Sequence, residues 1–183
     1  MSSNVLFVQG GGKGAHEVDA TLVAQLGRAL GADYEIRYPL MPDEASPDYG
    51  AWKRAIAQEL EGRDRMILVG HSVGASVLVR FLAGQTFAPP PRGIFLIAAP
   101  YIGTGGWQIE GFETPKDLAA RIPAHIPVYL YHGRDDETVP FAHLGLYAAL
   151  LPGAFVRPLD GRNHQLNDDA SEMADDIRRV GEP

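Results

Sequence analysis

The pentapeptide G-H-S-V-G at residues 70–74 has the residue types and spacing of a nucleophile elbow. It follows the apolar run 66–69 and precedes a segment of helical period, which is the strand–turn–helix context that the motif requires. Small residues at both ends permit a tight turn, which would expose Ser72 at the end of the strand. The amide of Val73 would then lie at a helix N-terminus, where unpaired donors favour a developing oxyanion. The same residues could also form an ordinary β–α turn, so the motif by itself is a hypothesis.

A serine hydroxyl becomes a good nucleophile only when a base removes its proton, and a carboxylate usually orients that base. His164 is our candidate base, in a loop after the predicted strand 154–158. Asp136 is the candidate acid, in a loop after another predicted strand, with Asp135 as the second choice and Asp160 as the third. Because parallel strands present their carboxyl ends at one edge of a sheet, we expect these side chains to meet Ser72 there.

The elements that would position these residues are short apolar runs alternating with longer segments of helical period, a pattern typical of βαβ units. The predicted strands are 4–9, 34–38, 66–69, 93–98, 127–131 and 154–158. The predicted helices are 18–30, 49–60, 72–83, 115–122, 141–151 and 168–180. Most strands are apolar at successive positions, which indicates burial on both faces. The pattern therefore predicts a three-layer α/β/α sandwich around a mostly parallel six-stranded sheet.

Composition bounds the function further. The chain has 183 residues, of which 45% are hydrophobic and 21% charged, which predicts one globular domain over residues 1–183. Its net charge of −7 has the wrong sign for neutralising phosphates, so nucleic acid is not an expected partner. The absence of cysteine excludes disulfides and a thiolate nucleophile. No histidine pair has metal-ligand spacing, so neither a metal nor a cofactor is expected.

The sequence offers no sign of membrane association. The N-terminal residues lack a basic region, and the apolar run that follows them ends at Gln9, unlike a signal peptide. The longest apolar stretch, 93–102, is interrupted by Pro100 and falls short of the ~20 residues that span a bilayer. We therefore expect a cytoplasmic protein.

Two further motifs give the sequence a family resemblance. Residues 132–140 match H-G-x-x-D-x-x-V-P with Asp136 at the acid position, and G-R-N-H at 161–164 places His164 after a glycine-containing loop. Together with the elbow, and in this order, they resemble the α/β-hydrolase superfamily over essentially the whole chain. The size of the chain is similar to that of the small serine hydrolases of the YdeN and retinoblastoma-binding-protein type, which implies a minimal fold without a cap domain.

The resemblance also implies a second oxyanion donor in the loop after the first strand. The family often has H-G-x there, and this chain has Q-G-G-G-K-G at 9–14, with Gln9 where histidine is commoner. By resemblance the donor is the amide of Gly11, with Gly12 as the alternative. A glycine-rich turn suits this role because no Cβ keeps an anion away from the amides.

The segment 99–114 is too short for a lid and is predicted to be a loop. Its Tyr101, Trp107 and Phe112 could form the apolar wall of a substrate cleft, since pockets are mostly apolar. They could equally form a small cluster that covers the sheet edge. His71 is interpreted as a residue packed beside its strand.

Our preferred interpretation is a serine hydrolase that cleaves small to medium carboxylic esters, or thioesters, through an acyl-enzyme. One alternative is an inactive hydrolase-like protein that binds a protein partner through the Trp107 loop. Another is a dinucleotide-binding protein, because Gly10, Gly12 and Ala15 fit G-x-G-x-x-A and Glu35 lies about 20 residues further on. Glu35 falls inside a predicted strand, however, and this alternative leaves the elbow unexplained.

Overall fold

The computed structural model describes residues 3–86 and 89–181, so the predicted bounds 1–183 extend beyond the described residues at both ends. Six strands form one sheet in the order β2-β1-β3-β4-β5-β6, and every pair of neighbours is parallel. Their bounds are β1 Ser3–Val8, β2 Tyr34–Arg37, β3 Ile67–His71, β4 Gly93–Ile97, β5 Val128–Gly133 and β6 Phe155–Leu159. All six predicted strands are therefore present, within two residues at each end, and the sheet is wholly parallel.

Helices cover both faces of the sheet. Their bounds are α1 Ala15–Leu30, α2 Tyr49–Leu60, α3 Val73–Ala83, α4 Leu118–Arg121, α5 Ala142–Leu150 and α6 Ser171–Gly181, with a 3₁₀ turn at Leu166–Asp168. Helices α1 and α6 contribute to one buried apolar cluster, and α2 to α5 contribute to the other. The predicted three-layer sandwich is confirmed. Residues 98–127, all of which are described, carry only the four-residue α4 and no cap domain.

Burial explains why the strands could be predicted from the sequence. Every residue of β3, β4 and β5 is buried, as expected for strands covered on both faces. Strand β6 lies at the edge of the sheet, where Phe155 is exposed. Pro158 is tolerated there because an edge strand has one side without a ladder partner.

The strand ends place four loops at the same edge of the sheet. Strand β1 leads into the glycine-rich loop, β3 into Ser72, β5 into the loop that carries Asp136, and β6 into the loop that carries His164. This edge is where parallel α/β proteins bind ligands.

Candidate active site

Ser72 lies at a strained turn between β3 and α3. Its φ and ψ are 50° and −126°, and a positive φ is uncommon for a residue with a side chain. Such a conformation costs about 1–3 kcal/mol and persists only where the surrounding structure enforces it. Here the Ser72 amide donates to the Ile97 carbonyl at 2.8 Å. The residue is therefore fixed to the end of β4 while its side chain projects from the turn.

The glycines of the elbow are required by close approach of the backbone. A Cβ built on Gly74 would lie 2.0 Å from the carbonyl oxygen of Gln9, and one built on Gly70 would lie 2.7 Å from the Cα of Ala75. Neither neighbour can move as a flexible side chain would, because both are backbone atoms. The turn therefore depends on both glycines, as the motif predicts.

Asp136 and His164 form a hydrogen-bonded pair. The Nδ1 of His164 lies 2.8 Å from Oδ2 of Asp136, while the amides of Thr138 and Val139 both donate to Oδ1 at 2.8 Å. Burial alone would raise the pKa of Asp136, but hydrogen bonds from His132, His164 and the Val139 amide outweigh it. The pKa lies well below its usual range, so the carboxylate is charged and can orient the imidazole.

Neither of the other two candidate acids is hydrogen-bonded to His164 within the described residues. Asp135 is exposed, and its amide donates to the carbonyl of Arg162. Asp160 is exposed and pairs with Arg134 at 2.6 Å. Among the three candidates, the hydrogen bond to His164 belongs to Asp136.

Ser72 and His164 line one cleft of about 210 Å³ beside the glycine-rich loop. The His164 ring lies against the ring of His71, with 4.7 Å between centroids, and His71 directly precedes the elbow serine. Within the described residues, no hydrogen bond joins the Ser72 hydroxyl to the His164 imidazole. Catalytic hydrogen bonds are often long until substrate binds, so the arrangement is compatible with proton transfer between these side chains.

Two amides beside the serine are available to a ligand. The amides of Val73 and Gly11 donate to no residue in the described part of the chain. A Cβ on Gly11 would lie 3.1 Å from the Cβ of Val73, so the two residues lie against each other. Gly12, the alternative donor, is excluded because its amide donates to the carbonyl of Glu44 at 2.6 Å.

Glu44 holds the glycine-rich loop, and the sequence analysis missed this residue. Its carboxylate accepts hydrogen bonds from the amides of Gly14 and His16, both at 2.8 Å, and from the Gln9 side chain at 2.7 Å. The bond from the His16 amide, followed by that from Gln9, holds the pKa of Glu44 below its ordinary value. The carboxylate thereby caps the N-terminus of α1 from a different segment of the chain.

The same contacts argue against a dinucleotide site. A bound pyrophosphate would need the amides at the start of α1. Those of Gly12, Gly14 and His16 already donate to Glu44. These three amide donors near the start of α1 are therefore occupied within the protein.

Replacing Glu44 with glutamine should weaken the loop while leaving the sheet intact. Glutamine has nearly the same shape, but its amide group would turn one acceptor into a donor facing other donors. We expect a lower melting temperature and a kcat reduced by up to about 10²-fold, the effect of a displacement of about 1 Å near the chemistry. Asp43→Asn is the matched control, because Asp43 is exposed in the same loop. Equal kcat values for the two variants would contradict this role.

The three residues predicted to form a substrate wall make aromatic contacts outside the lining of this cleft. Tyr101 packs against Tyr147, Trp107 packs edge-on against His143, and Phe112 packs against Tyr49, at centroid distances of 5.6, 5.7 and 6.4 Å. None of the three lines the cleft that contains Ser72 and His164. The apolar lining there includes two residues of α1, Ala15 and Val18. Contact of Tyr101, Trp107 and Phe112 with a substrate remains a prediction.

The described residues offer neither a metal-binding cluster nor a membrane-spanning helix. No group of three or more histidine, aspartate or glutamate side chains within 3–86 and 89–181 could hold a metal ion. Over the same residues, no helix is long and apolar enough to cross a membrane.

The strand order, the strained serine after β3 and the acid–histidine pair after β5 and β6 define an α/β-hydrolase fold. In agreement, the sequence model of the alpha/beta hydrolase family matches residues 5–181. The chain belongs to this family. No curated protein sequence matches it.

Solved structures support the same fold. The ydeN gene product of Bacillus subtilis aligns with a TM-score of 0.74 and 16% identity, covering 98% of each chain. An esterase domain from Rhodothermus marinus aligns with a TM-score of 0.68 and 18% identity, covering 98% of this chain and 88% of that one. A serine hydrolase from Cycloclasticus zankles aligns with a TM-score of 0.74 and 13% identity, covering 98% of this chain and 89% of that one. The expected resemblance to small α/β hydrolases without a cap is confirmed.

Proposed function

We propose that this hydrolase cleaves small to medium carboxylic esters, or thioesters, through a covalent acyl-enzyme on Ser72. The observation that carries the proposal is the hydrogen bond between buried Asp136 and His164, which share the sheet edge with the strained Ser72. Three side chains from three separate loops have the types and order of a nucleophile, a base and an orienting acid. The esterase and serine hydrolase activities named for two of the similar structures are consistent with it.

In the first half-reaction, the Oγ of Ser72 attacks the substrate carbonyl carbon while Nε2 of His164 takes the hydroxyl proton. The amides of Val73 and Gly11 donate to the oxyanion that forms. Asp136 accepts the Nδ1–H of the imidazole and stabilises its charged form. The intermediate collapses as the bond to the leaving group breaks, and His164 gives its proton to the departing alcohol or thiol.

In the second half-reaction, water attacks the acyl carbon of the Ser72 ester. His164 removes a proton from that water and returns it to the Oγ of Ser72 as the carboxylic acid leaves. The same two amides stabilise the second oxyanion. The protons balance, since each proton that His164 takes is returned within the same half-reaction.

The size of the cleft suggests the size of the substrate. Its volume of about 210 Å³ is below the roughly 300–1,000 Å³ typical of sites for drug-sized ligands. The connection from β4 to β5 adds no cap that could enclose a long chain. Short acyl groups should therefore be preferred.

A series of p-nitrophenyl esters graded by acyl length tests this proposal. We expect wild-type protein to hydrolyse the short esters best, and Ser72→Ala to lose the activity while keeping its circular dichroism spectrum. Rates that are equal in wild type and Ser72→Ala would refute the function. A rate of hydrolysis that rises steadily with acyl length would refute the proposed substrate size.

A further inference from the structure

His71, the variable residue of the elbow motif, has an unusual environment. Its Nδ1 lies 2.9 Å from Oδ2 of Asp19, and its Nε2 lies 3.0 Å from the carbonyl oxygen of His164. The side chain is only 1% exposed, so water cannot replace either partner. Both ring nitrogens therefore face oxygen atoms inside the protein.

These partners determine the protonation state of the ring. A carbonyl oxygen can only accept a hydrogen bond, and an ionised carboxylate can only accept as well, whereas a neutral imidazole carries a single N–H. Satisfying both contacts needs an N–H on each nitrogen of His71. An unsatisfied buried polar contact would be costly, so the doubly protonated ring is the form that fits this site.

Asp19 supplies the opposite charge and joins three parts of the candidate site. Its side chain, 2% exposed, also accepts from the amide of Gly10 at 2.7 Å and from the side chain of Gln165 at 2.9 Å. Gly10 begins the glycine-rich loop, and Gln165 follows His164 directly. The pair of Asp19 and His71 thus bonds to the loop that carries Gly11 and to the loop that carries the candidate base.

We propose that His71 is a buried imidazolium which, together with Asp19, positions His164 and the glycine-rich loop for catalysis. The positioning part of this inference rests on the proposed function, while the charge of His71 does not. Three titratable groups act on the ring: Asp19 from α1, the His164 ring from the loop after β6, and Asp136 from the loop after β5. Two of the three are carboxylates, which favour a positive charge at His71.

The directions of the pKa shifts agree with this assignment. Burial alone would lower the pKa of His71, but the hydrogen bond and the charge of Asp19 outweigh burial and raise it. Burial alone would raise the pKa of Asp19, but the hydrogen bond and charge of His71 keep it below its ordinary value. Each partner therefore stabilises the charged form of the other.

Nitrogen-15 NMR of the wild-type protein tests the charge directly, whether or not the protein is an active hydrolase. We expect both ring nitrogens of His71 to carry a proton at pH 7.5. The exposed ring of His125 supplies the comparison signals in the same spectra. A His71 ring that carries only one N–H at pH 7.5 would overturn the assignment.

The variant Asp19→Asn tests the positioning role. Without the carboxylate, His71 should become neutral and show one N–H by NMR, so it can no longer donate from both ring nitrogens at once. We expect kcat to fall by about 10²-fold with KM little changed, because the substrate contacts are kept. Labelling of Ser72 by a fluorophosphonate should slow by a similar factor.

The matched control is Asp176→Asn, since Asp176 is also 2% exposed and ion-paired but bonds to Tyr131, Arg157 and Arg179 rather than to residues of the cleft. It should lower stability and leave kcat unchanged. A folded Asp19→Asn protein with wild-type kcat would overturn the positioning role. If the wild type itself hydrolyses no ester, the proposed function and its positioning residue fail together, and the NMR result still decides the charge of His71.

Discussion

Replacing His164 with alanine is expected to lower kcat for ester hydrolysis by about a millionfold, the order of loss found when a triad histidine is removed. The variant lacks the imidazole that would take the Ser72 proton, so the hydroxyl stays a weak nucleophile. Hydrolysis of a short p-nitrophenyl ester, followed with wild-type and variant protein of matched concentration, measures the loss.

His125→Ala is the control for this comparison. His125 is exposed in the loop before β5, so its removal should leave kcat within the error of the assay. If His164→Ala retained more than about a tenth of wild-type kcat, the imidazole would not be the base. A different group would then have to activate Ser72.

Replacing Gly74 with alanine is expected to give the largest loss of stability of any single methyl addition in the elbow. Alanine normally stabilises a helix relative to glycine. Here, however, its Cβ would lie 2.0 Å from the carbonyl oxygen of Gln9 and 2.6 Å from that of Val8. Strand β1 and helix α3 would have to separate to accommodate it. We expect the free energy of unfolding to fall by more than about 4 kcal/mol, within the exceptional range for one substitution.

Gly145→Ala is the matched control, because Gly145 lies within α5 and a Cβ there meets no atom within 4 Å. That variant should be more stable than wild type by about 0.5–1 kcal/mol. Urea unfolding curves of the three proteins measure both effects. A Gly74→Ala protein with the wild-type urea midpoint would contradict the close contact between the end of β1 and α3.

Elements with local signals could be predicted from the sequence. Helix α2 begins and ends as predicted, at Tyr49–Leu60. Its start has a local signal, because the Asp48 side chain accepts a hydrogen bond from the amide of Ala51. Helix α1 begins three residues before the predicted 18–30. Its cap is the carboxylate of Glu44, some thirty residues away in the chain, and no local pattern can indicate such a contact.

The candidate site likewise contains residues with local sequence signals and residues that only the fold brings together. Ser72 lies in a short motif whose spacing is set by a tight turn. Asp136 lies in a short motif in which amides of the same loop donate to its carboxylate. Sequence alone could therefore indicate both residues. The role of Asp19 could not be predicted, since its partners come from three separate segments of the chain: the glycine-rich loop, the end of β3 and the loop after β6. In the sequence it is a single acid within a helical segment, and only the fold brings it to His71.

Covalent labelling with a fluorophosphonate, followed by peptide mapping, shows whether Ser72 is the nucleophile. We expect one label per chain, on Ser72, with no labelling of folded Ser72→Ala and very slow labelling of His164→Ala. A label on any other residue, or an unlabelled wild-type protein that is demonstrably folded, would contradict this role of Ser72.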